Sequence, residues 1–440
     1  MPIRDLLITM TILGVLPVCV FRPWIGVLMW SWLAYMNPHR LTWGFANDLP
    51  FSQLVAIVTL VGFVFTSARK PFLWTRETVL LVLLWGWFAV TCVGAFYPDD
   101  AWKKFFEMSK VLLMAMLVVP LFQDRQKLRV ILLVIAASLG FYGVKGGIFA
   151  LSTGGQFMVL GPPKSFFAAN TETALVLNMA LPLLFYLAKE EERRWLRRVL
   201  YGAFLVTLVA VPFTYSRGGL LGLALVLVLL FVKARRRIVL IPVLAAGVWA
   251  LLMFAPPEWI TRMQTLENVR EDGSANLRFM SWQVAMGIAQ DNPIVGGGFK
   301  VFVHRATYDI YMPEYPRTFG HDAHSIYFNM LGEHGWIGLG LYLGLVGMVL
   351  FKTYQIRRLA RSHPEIGWAS NYAHMLQVSL ATYLLNGATL SAAYFDLAYQ
   401  LMILAPVIYV VAKRQLAGEP VESTEAVPAA VVAATPVRAS

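Results

Sequence analysis

Apolar runs of about 15–20 residues recur along almost the whole chain, separated by short clusters of lysine and arginine. Such runs are long enough to cross a bilayer as helices, and Lys and Arg collect in the loops that stay in the cytoplasm. The chain is 58% hydrophobic and only 14% charged, against about 25% charged in soluble domains. The pattern therefore excludes a soluble enzyme, a secreted disulfide scaffold and a disordered protein.

Two apolar runs separate each basic cluster from the next, so the clusters indicate alternating crossings. We expect an all-α polytopic membrane protein with about 12 transmembrane helices and a mostly helical periplasmic cap between the last two helix pairs. We predict four parts. Residues 1–254 form transmembrane helices with short loops and one external loop at 145–172. Residues 255–335 form the large periplasmic loop, 336–412 the C-terminal transmembrane helices and 413–440 a disordered cytoplasmic tail.

The start of the chain is ambiguous, because the apolar segment 6–36 is interrupted by Arg22 and Pro23. Two full crossings would place the N-terminus outside, whereas one crossing plus a partial segment would place it inside. We expect one crossing, which places both ends of the chain in the cytoplasm. No cleavage site follows this segment, so we interpret it as retained. Cys19 and Cys92 lie inside apolar runs, which favours buried small hydrophobes over a disulfide or a metal site.

The net charge of +12 would suggest nucleic acid in a soluble protein. Here we assign it to the cytoplasmic loops and expect membrane lipids, but no nucleic acid, as partners. The polar residues predicted outside are more informative, because four of the seven histidines lie in 304–334.

Two arginines lie at the predicted outer ends of transmembrane helices, where the enrichment of Lys and Arg in cytoplasmic loops does not explain them. Arg217 follows Ser216 and precedes two glycines, where a helix N-terminus adds N–H dipoles that favour an anion. Arg278 precedes a glycine-rich stretch at 296–298. Arginine suits a diphosphate because its planar fork forms two parallel charge-assisted bonds. A structural ion pair is the alternative for each.

His324 is the main candidate for proton chemistry, because a histidine at the membrane boundary can accept a proton from a hydroxyl near neutral pH. A hydrogen-bonded structural histidine is the alternative. His321 and His324 also form an H-x-x-H pair, but no third ligand stands at a metal spacing, so we expect no metal. Three residues of the same segment are secondary candidates with His321: Tyr327, Glu333 and His334.

These motifs resemble the O-antigen ligase and polymerase family. The His324 segment resembles its H-N-x-Y/F-L-x-x-L-x-E-x-G signature, with a serine where asparagine is common. Residues 215–219 resemble its S-R-G element, and Arg278 with the prolines and glycines of 293–298 resembles its R…W…P-x-x-G-x-G stretch. The resemblance extends over roughly 51–411. Segment 145–172 also resembles the exosortase-associated O-glycosylation ligases, in which Lys145, Asn170 and Glu172 are further candidates.

The resemblance implies a GT-C-like glycosyltransferase of the bacterial inner membrane that works on the periplasmic side without a cofactor or metal. An O-antigen ligase would transfer a glycan, with inversion, from undecaprenyl diphosphate to a hydroxyl of the lipid A–core oligosaccharide. His324 would be the general base, and Arg217 and Arg278 would bind the diphosphate.

The sequence leaves the acceptor open. An O-antigen polymerase or a protein O-glycosylation ligase would use the same chemistry. A lipid-linked oligosaccharide transporter is less well supported, because the apolar runs carry almost no charge. A thiol peptidase of the exosortase type needs a cysteine near a histidine, and both cysteines are poorly placed for this. The glycan structure and the oligomeric state are equally undetermined.

Overall fold

The computed structural model describes residues 3–67, 70–233, 255–264 and 273–419, with isolated positions between 241 and 253. These residues form helices and loops, with no strand among them. The helices are α1 (Ile3–Phe21), α2 (Pro23–Met36), α3 (Phe51–Phe65), α4 (Arg76–Val93), α5 (Pro98–Leu121), α6 (Arg125–Ser152), α7 (Asn170–Glu190), α8 (Arg194–Ala210), α9 (Arg217–Lys233), α10 (Pro257–Gln264), α11 (Gly273–Asp291), α12 (Arg305–Tyr311), α13 (Ile326–Ser362), α14 (Gly367–Gly387) and α15 (Asp396–Leu416).

Six of these helices are long and apolar enough to cross a membrane: α1, α4, α6, α7, α13 and α15. Two shorter apolar helices, α3 and α9, accompany them. The described chain is therefore an all-helical membrane protein. The count of about 12 spans stays a prediction, as does the periplasmic position of the cap. The predicted crossing at 238–254 and the predicted tail beyond residue 419 lie almost wholly outside the described residues.

Local sequence explains where several helices begin. The Asp124 side chain accepts the Lys127 N–H at 2.7 Å and so caps the first turn of α6. Thr75 and Thr78 cap α4 reciprocally, each side chain accepting the other's backbone N–H. Pro98 occupies the first turn of α5, where its missing N–H costs nothing.

The loops meet at two opposite ends of the helix bundle. At the first, here called the basic end, the loops at 66–75, 122–124, 191–193 and 363–366 lie beside arginines and lysines. One contact there is the Arg414 Nη1 bond to Gln123 Oε1, 2.8 Å. At the second, here called the site end, the loops at 37–50, 94–97, 153–169, 211–216 and 388–395 meet. The backbone bond from Val159 N to Phe213 O, 2.8 Å, is one of their contacts.

The N-terminal segment differs from the single crossing that the sequence predicts. Residues 6–36 form two helices, because the residue before a proline avoids helical angles and Arg22 has φ −131° and ψ 78°. Asp5 at the start of α1 accepts the Ala46 N–H at 2.9 Å, which places this turn at the site end. The chain therefore turns back here, and α1 starts at the end opposite to the basic one, which differs from the start that the predicted crossing gives it. Of these two helices, only α1 is long and apolar enough to cross a membrane by length and composition.

A second difference concerns the external loop predicted at 145–172. Helix α6 continues to Ser152, so Lys145 lies on a helix with an exposed side chain, and the loop itself covers only 153–169. Cys19 and Cys92 are both buried and free, as the sequence predicts.

A hydrophobic cluster separate from the core of the bundle lies at the site end. It is formed mainly by α11, α12 and the loop after α12, with members from Leu277 to Ala323. Tyr308 is fully buried in it, and its hydroxyl lies 2.8 Å from Ser281 Oγ. This cluster supports the segment that carries His321 and His324.

Candidate functional site

His324 lies immediately before α13, in a backbone conformation that few side chains adopt. Its φ is +46°, in the left-handed region. The Ser391 hydroxyl accepts the His324 N–H at 3.1 Å, and Trp282 on α11 donates its Nε1–H to Ala323 O at 2.8 Å. Tyr308 donates its hydroxyl to the carbonyl of His321. The strained turn is therefore held from α11, from α12 and from the 388–395 loop.

The rings of His321 and His324 are adjacent, with their Nε2 atoms 3.2 Å apart. Burial, together with charge repulsion from His321, Arg278 and Arg317, lowers the pKa of His324 to about 4. Burial and the same two arginines also lower the pKa of His321, although Asp322 acts in the opposite direction. At neutral pH both rings are therefore uncharged, as a general base must be.

Arg278 is thus brought together with the histidine pair, as the sequence predicts for a common site. It lies on α11, is half-buried, and its charge acts on both rings. Arg217 lies on another element at the same end of the bundle. It begins α9, where the Ser216 hydroxyl accepts the Gly219 N–H at 3.0 Å as a helix cap does.

The loop after α14 connects the two regions. A Cβ atom at Gly218 would lie 3.4 Å from Thr389 Oγ1, so the first turn of α9 packs against this loop. Two residues further on, Ser391 contacts His324. Arg217 and His324 are therefore neighbours of the same loop, although Arg217 is not among the charges that lower the His324 pKa.

Helix α13 is interrupted at Gly335, which has φ +68° and ψ −173°. A Cβ atom at Gly335 would lie 2.2 Å from Ile294 O, so only glycine permits this approach. Gly297 N and Gly298 N donate to the carbonyls of Gly332 and Glu333 at 2.8 and 2.9 Å. The backbone of the glycine-rich stretch at 296–298 therefore packs against α13 at its kink and forms hydrogen bonds with it.

His334 is completely buried and holds the kink in place. Its Nδ1 lies 2.8 Å from Thr91 Oγ1, and its Nε2 lies 2.8 Å from the Tyr394 hydroxyl. The Tyr327 hydroxyl donates to Leu384 O at 3.0 Å. These contacts give both residues a structural role.

Glu333 is buried as well, but it borders a cavity. Its Oε1 accepts the Lys300 N–H at 2.7 Å, and its Oε2 accepts the Tyr394 hydroxyl. The cavity has a volume of about 200 Å³. Polar and apolar groups both line it, from Lys104, Phe166, Lys300, Asp322, Asn329, Glu333, Ser391, Ala393 and Tyr394.

The other secondary candidates lie apart from this cavity. Asn170 begins α7 and donates its side-chain N–H to Thr214 O at 3.0 Å, which ties α7 to the turn before Arg217. Glu172 accepts the Thr171 hydroxyl at 2.8 Å. Lys145 is exposed on α6.

Sequence reasoning does not single out Asn329, Ser391 or Tyr394. Asn329 occupies a variable position of the family signature, and the 388–395 loop carries no motif that marks it. This loop lies far from the histidines in the sequence and comes close to them only in the folded protein. Within the described ranges, no group of three or more His, Cys, Asp or Glu side chains is placed to hold a metal ion.

The long apolar helices define a multi-pass membrane protein with a polar, histidine-containing cluster at one end of its bundle. Residues 202–343 match the family model described as O-Antigen ligase, which supports membership of that family. This match includes Arg217, Arg278 and His324. Residues 3–192 match a second model, described as Family of unknown function (DUF5935). No curated protein matches the chain. Membership supports glycosyl transfer of the ligase or polymerase type, with a lipid-linked donor and an acceptor.

Proposed function

We propose that the chain is an O-antigen ligase of the bacterial inner membrane, and that it transfers a glycan from undecaprenyl diphosphate to a hydroxyl of the lipid A–core oligosaccharide. One observation carries the proposal: an uncharged histidine pair lies within the field of Arg278 at one end of the bundle, inside the O-antigen ligase domain. The basic loops lie at the other end, which by the positive-inside rule supports a periplasmic position for this site.

The reaction needs a base and an anion site. His324 takes the proton of the acceptor hydroxyl while the oxygen forms a bond to the anomeric carbon. The bond from that carbon to the diphosphate breaks, and the leaving oxygen keeps the electron pair. Arg278 stabilises this developing charge, and Arg217 binds the diphosphate from the first turn of α9. The reaction inverts the anomeric centre and needs no metal.

The histidine pair favours this role for His324. When its Nε2–H is donated to His321, 3.2 Å away, Nδ1 carries no proton and can accept one. His321 then fixes the tautomer and orientation of the base, as the partner of a catalytic histidine commonly does.

Reconstitution tests the proposal. The purified protein is given undecaprenyl-diphosphate glycan and, separately, lipid A–core, a second lipid-linked glycan or an acceptor protein. We expect modification of lipid A–core by the wild type, and its loss by at least 100-fold in His324→Ala. The matched control is His363→Ala, since His363 lies at the basic end, with Nδ1 3.0 Å from Leu359 O.

Each outcome has a defined meaning. Transfer to another glycan or to protein would replace the ligase with a polymerase or a protein O-glycosylation ligase. Normal transfer by His324→Ala would exclude it as the base, and loss of activity in His363→Ala as well would indicate a general effect on folding.

A further inference from the structure

The cavity beside Glu333 has the chemistry of a carbohydrate subsite. It combines carboxylate, amide, hydroxyl and ammonium groups with two aromatic residues, Phe166 and Tyr394. Sugar hydroxyls form hydrogen bonds with such polar groups, while the C–H face of a sugar ring packs on an aromatic ring. Phe166 stacks on Phe395 with the ring centroids 4.3 Å apart, which holds it in place. About 200 Å³ is below the range of about 300–1,000 Å³ for drug-sized ligands, so it suits one ring and not an oligosaccharide.

Asn329 gives the cavity an unsatisfied acceptor. Its side chain is 3% exposed, and its Oδ1 has no hydrogen-bond partner among the described residues. Buried side-chain oxygens nearly always have a partner, so an exception in the lining of a cavity points to a ligand. Asn329 and Glu333 are four residues apart on α13 and therefore face the same side.

The cavity adjoins the proposed base. Ser391 lines it and also accepts the His324 N–H at 3.1 Å. Asp322, between His321 and Ala323, lines it as well. A sugar held there lies against the same turn that presents His324.

We propose that this cavity binds a single sugar ring of one of the two glycans, and that Asn329 determines specificity by accepting a hydrogen bond from a hydroxyl of that ring. The inference rests on the proposed function for the source of the sugar, which is either the acceptor or the donor. Asn329 does not take part in bond formation and is a positioning residue.

Binding of free sugars tests this without any transfer reaction. The full chain in lipid nanodiscs is titrated with glucose, galactose, mannose and N-acetylglucosamine by saturation-transfer NMR. We expect saturable binding of at least one sugar, weakened about tenfold or more by Asn329→Ala. Phe166→Ala, in the exposed loop at 153–169, is the second variant, since it leaves the helices intact. Asn371→Ala is the control, because Asn371 contacts Lys189 at the basic end.

Transfer kinetics then identify the source of the sugar. A rise in the acceptor KM of Asn329→Ala, with the donor KM unchanged, assigns the ring to the acceptor, and the reverse assigns it to the donor. Wild-type protein that binds none of the sugars, or binding and KM values unchanged in both variants, would overturn the inference while leaving the proposed function intact. Binding of a sugar that depends on Asn329, by a protein that transfers no glycan, would overturn the proposed function and leave this inference intact.

Discussion

His324 combines two properties that a lone histidine in a sequence does not show. It is uncharged because it is buried beside another histidine and two arginines, and it occupies a strained turn that three other elements hold in place. Both properties arise from residues distant in the chain. The sequence predicts the residue through its signature, but the environment that makes it a usable base comes from the fold.

The lowered pKa of His324, about 4, predicts the pH dependence of the reaction. A histidine with the ordinary pKa of about 6.5 would lose its base function as the pH falls through 6. A depressed pKa favours the neutral, active form, so kcat/KM should stay level from pH 7 to about 5 and fall only below that. The check is a pH profile of kcat/KM at constant ionic strength.

Arg317→Ala sharpens this test, because Arg317 is one of the charges that lower the pKa. Its removal should move the acidic limb to higher pH. An acidic limb near 6.5 in the wild type, or one unaffected by Arg317→Ala, would contradict the assignment.

The two arginines make a second prediction at this scale. Arg278→Lys and Arg217→Lys keep the charge but lose the planar fork, so each should lower kcat/KM by about 10²-fold, mostly in kcat for Arg278. The comparison is Arg194→Lys, an exposed residue at the basic end that should change nothing. Equal rates for all three variants would show that no diphosphate clamp exists.

At the scale of elements, the sequence predicts the positions of motifs better than their contacts. Arg278 lies close enough to His324 for its charge to act on the ring, while their common function stays a prediction. Glu333 and the glycines of 296–298 belong to the resemblance, and His334 occupies a variable position of it. The structure shows that all of them hold the kink of α13, which no spacing rule reveals. The polar and glycine residues after Lys145 predict a loop there, whereas in the structure α6 continues to Ser152.

The kink predicts opposite effects for two glycines of α13. Gly335→Ala forces a side chain into a region that is essentially restricted to glycine, against Ile294 O, and should destabilise the protein by about 1–3 kcal/mol. Gly340→Ala is the control, since a Cβ there meets nothing within 4 Å, and alanine favours a helix by up to about 1 kcal/mol. Thermal unfolding in detergent should show a lower Tm for the first and an equal or higher Tm for the second. Similar Tm values would argue against the kink.

At the scale of the molecule, charge and topology agree. The net charge of +12 is explained by basic residues around one set of loops, so it indicates orientation and not an anionic partner. The apolar runs predict the helices well, because helix length and hydropathy depend on local sequence alone. The sequence leaves the first crossing ambiguous, because whether an interrupted run crosses once or twice depends on what it packs against. Gly62 of α3, whose Cβ would lie 2.4 Å from Val20 O, shows that α1 packs closely along α3.

Cysteine labelling can decide the orientation of the first helix. In the structure, Ile3 at the start of α1 and Trp43 in the 37–50 loop are both exposed at the site end, whereas Glu192 is exposed at the basic end. Ile3→Cys and Trp43→Cys should therefore react with a membrane-impermeant maleimide added outside intact cells, and Glu192→Cys only after lysis. The native Cys19 and Cys92 are 0% exposed and should give little background. If Ile3→Cys and Glu192→Cys were both labelled only after lysis, the start of α1 would lie on the cytoplasmic side. That result would support a single crossing, because the start of α1 is cytoplasmic only if an odd number of spans precedes the 37–50 loop.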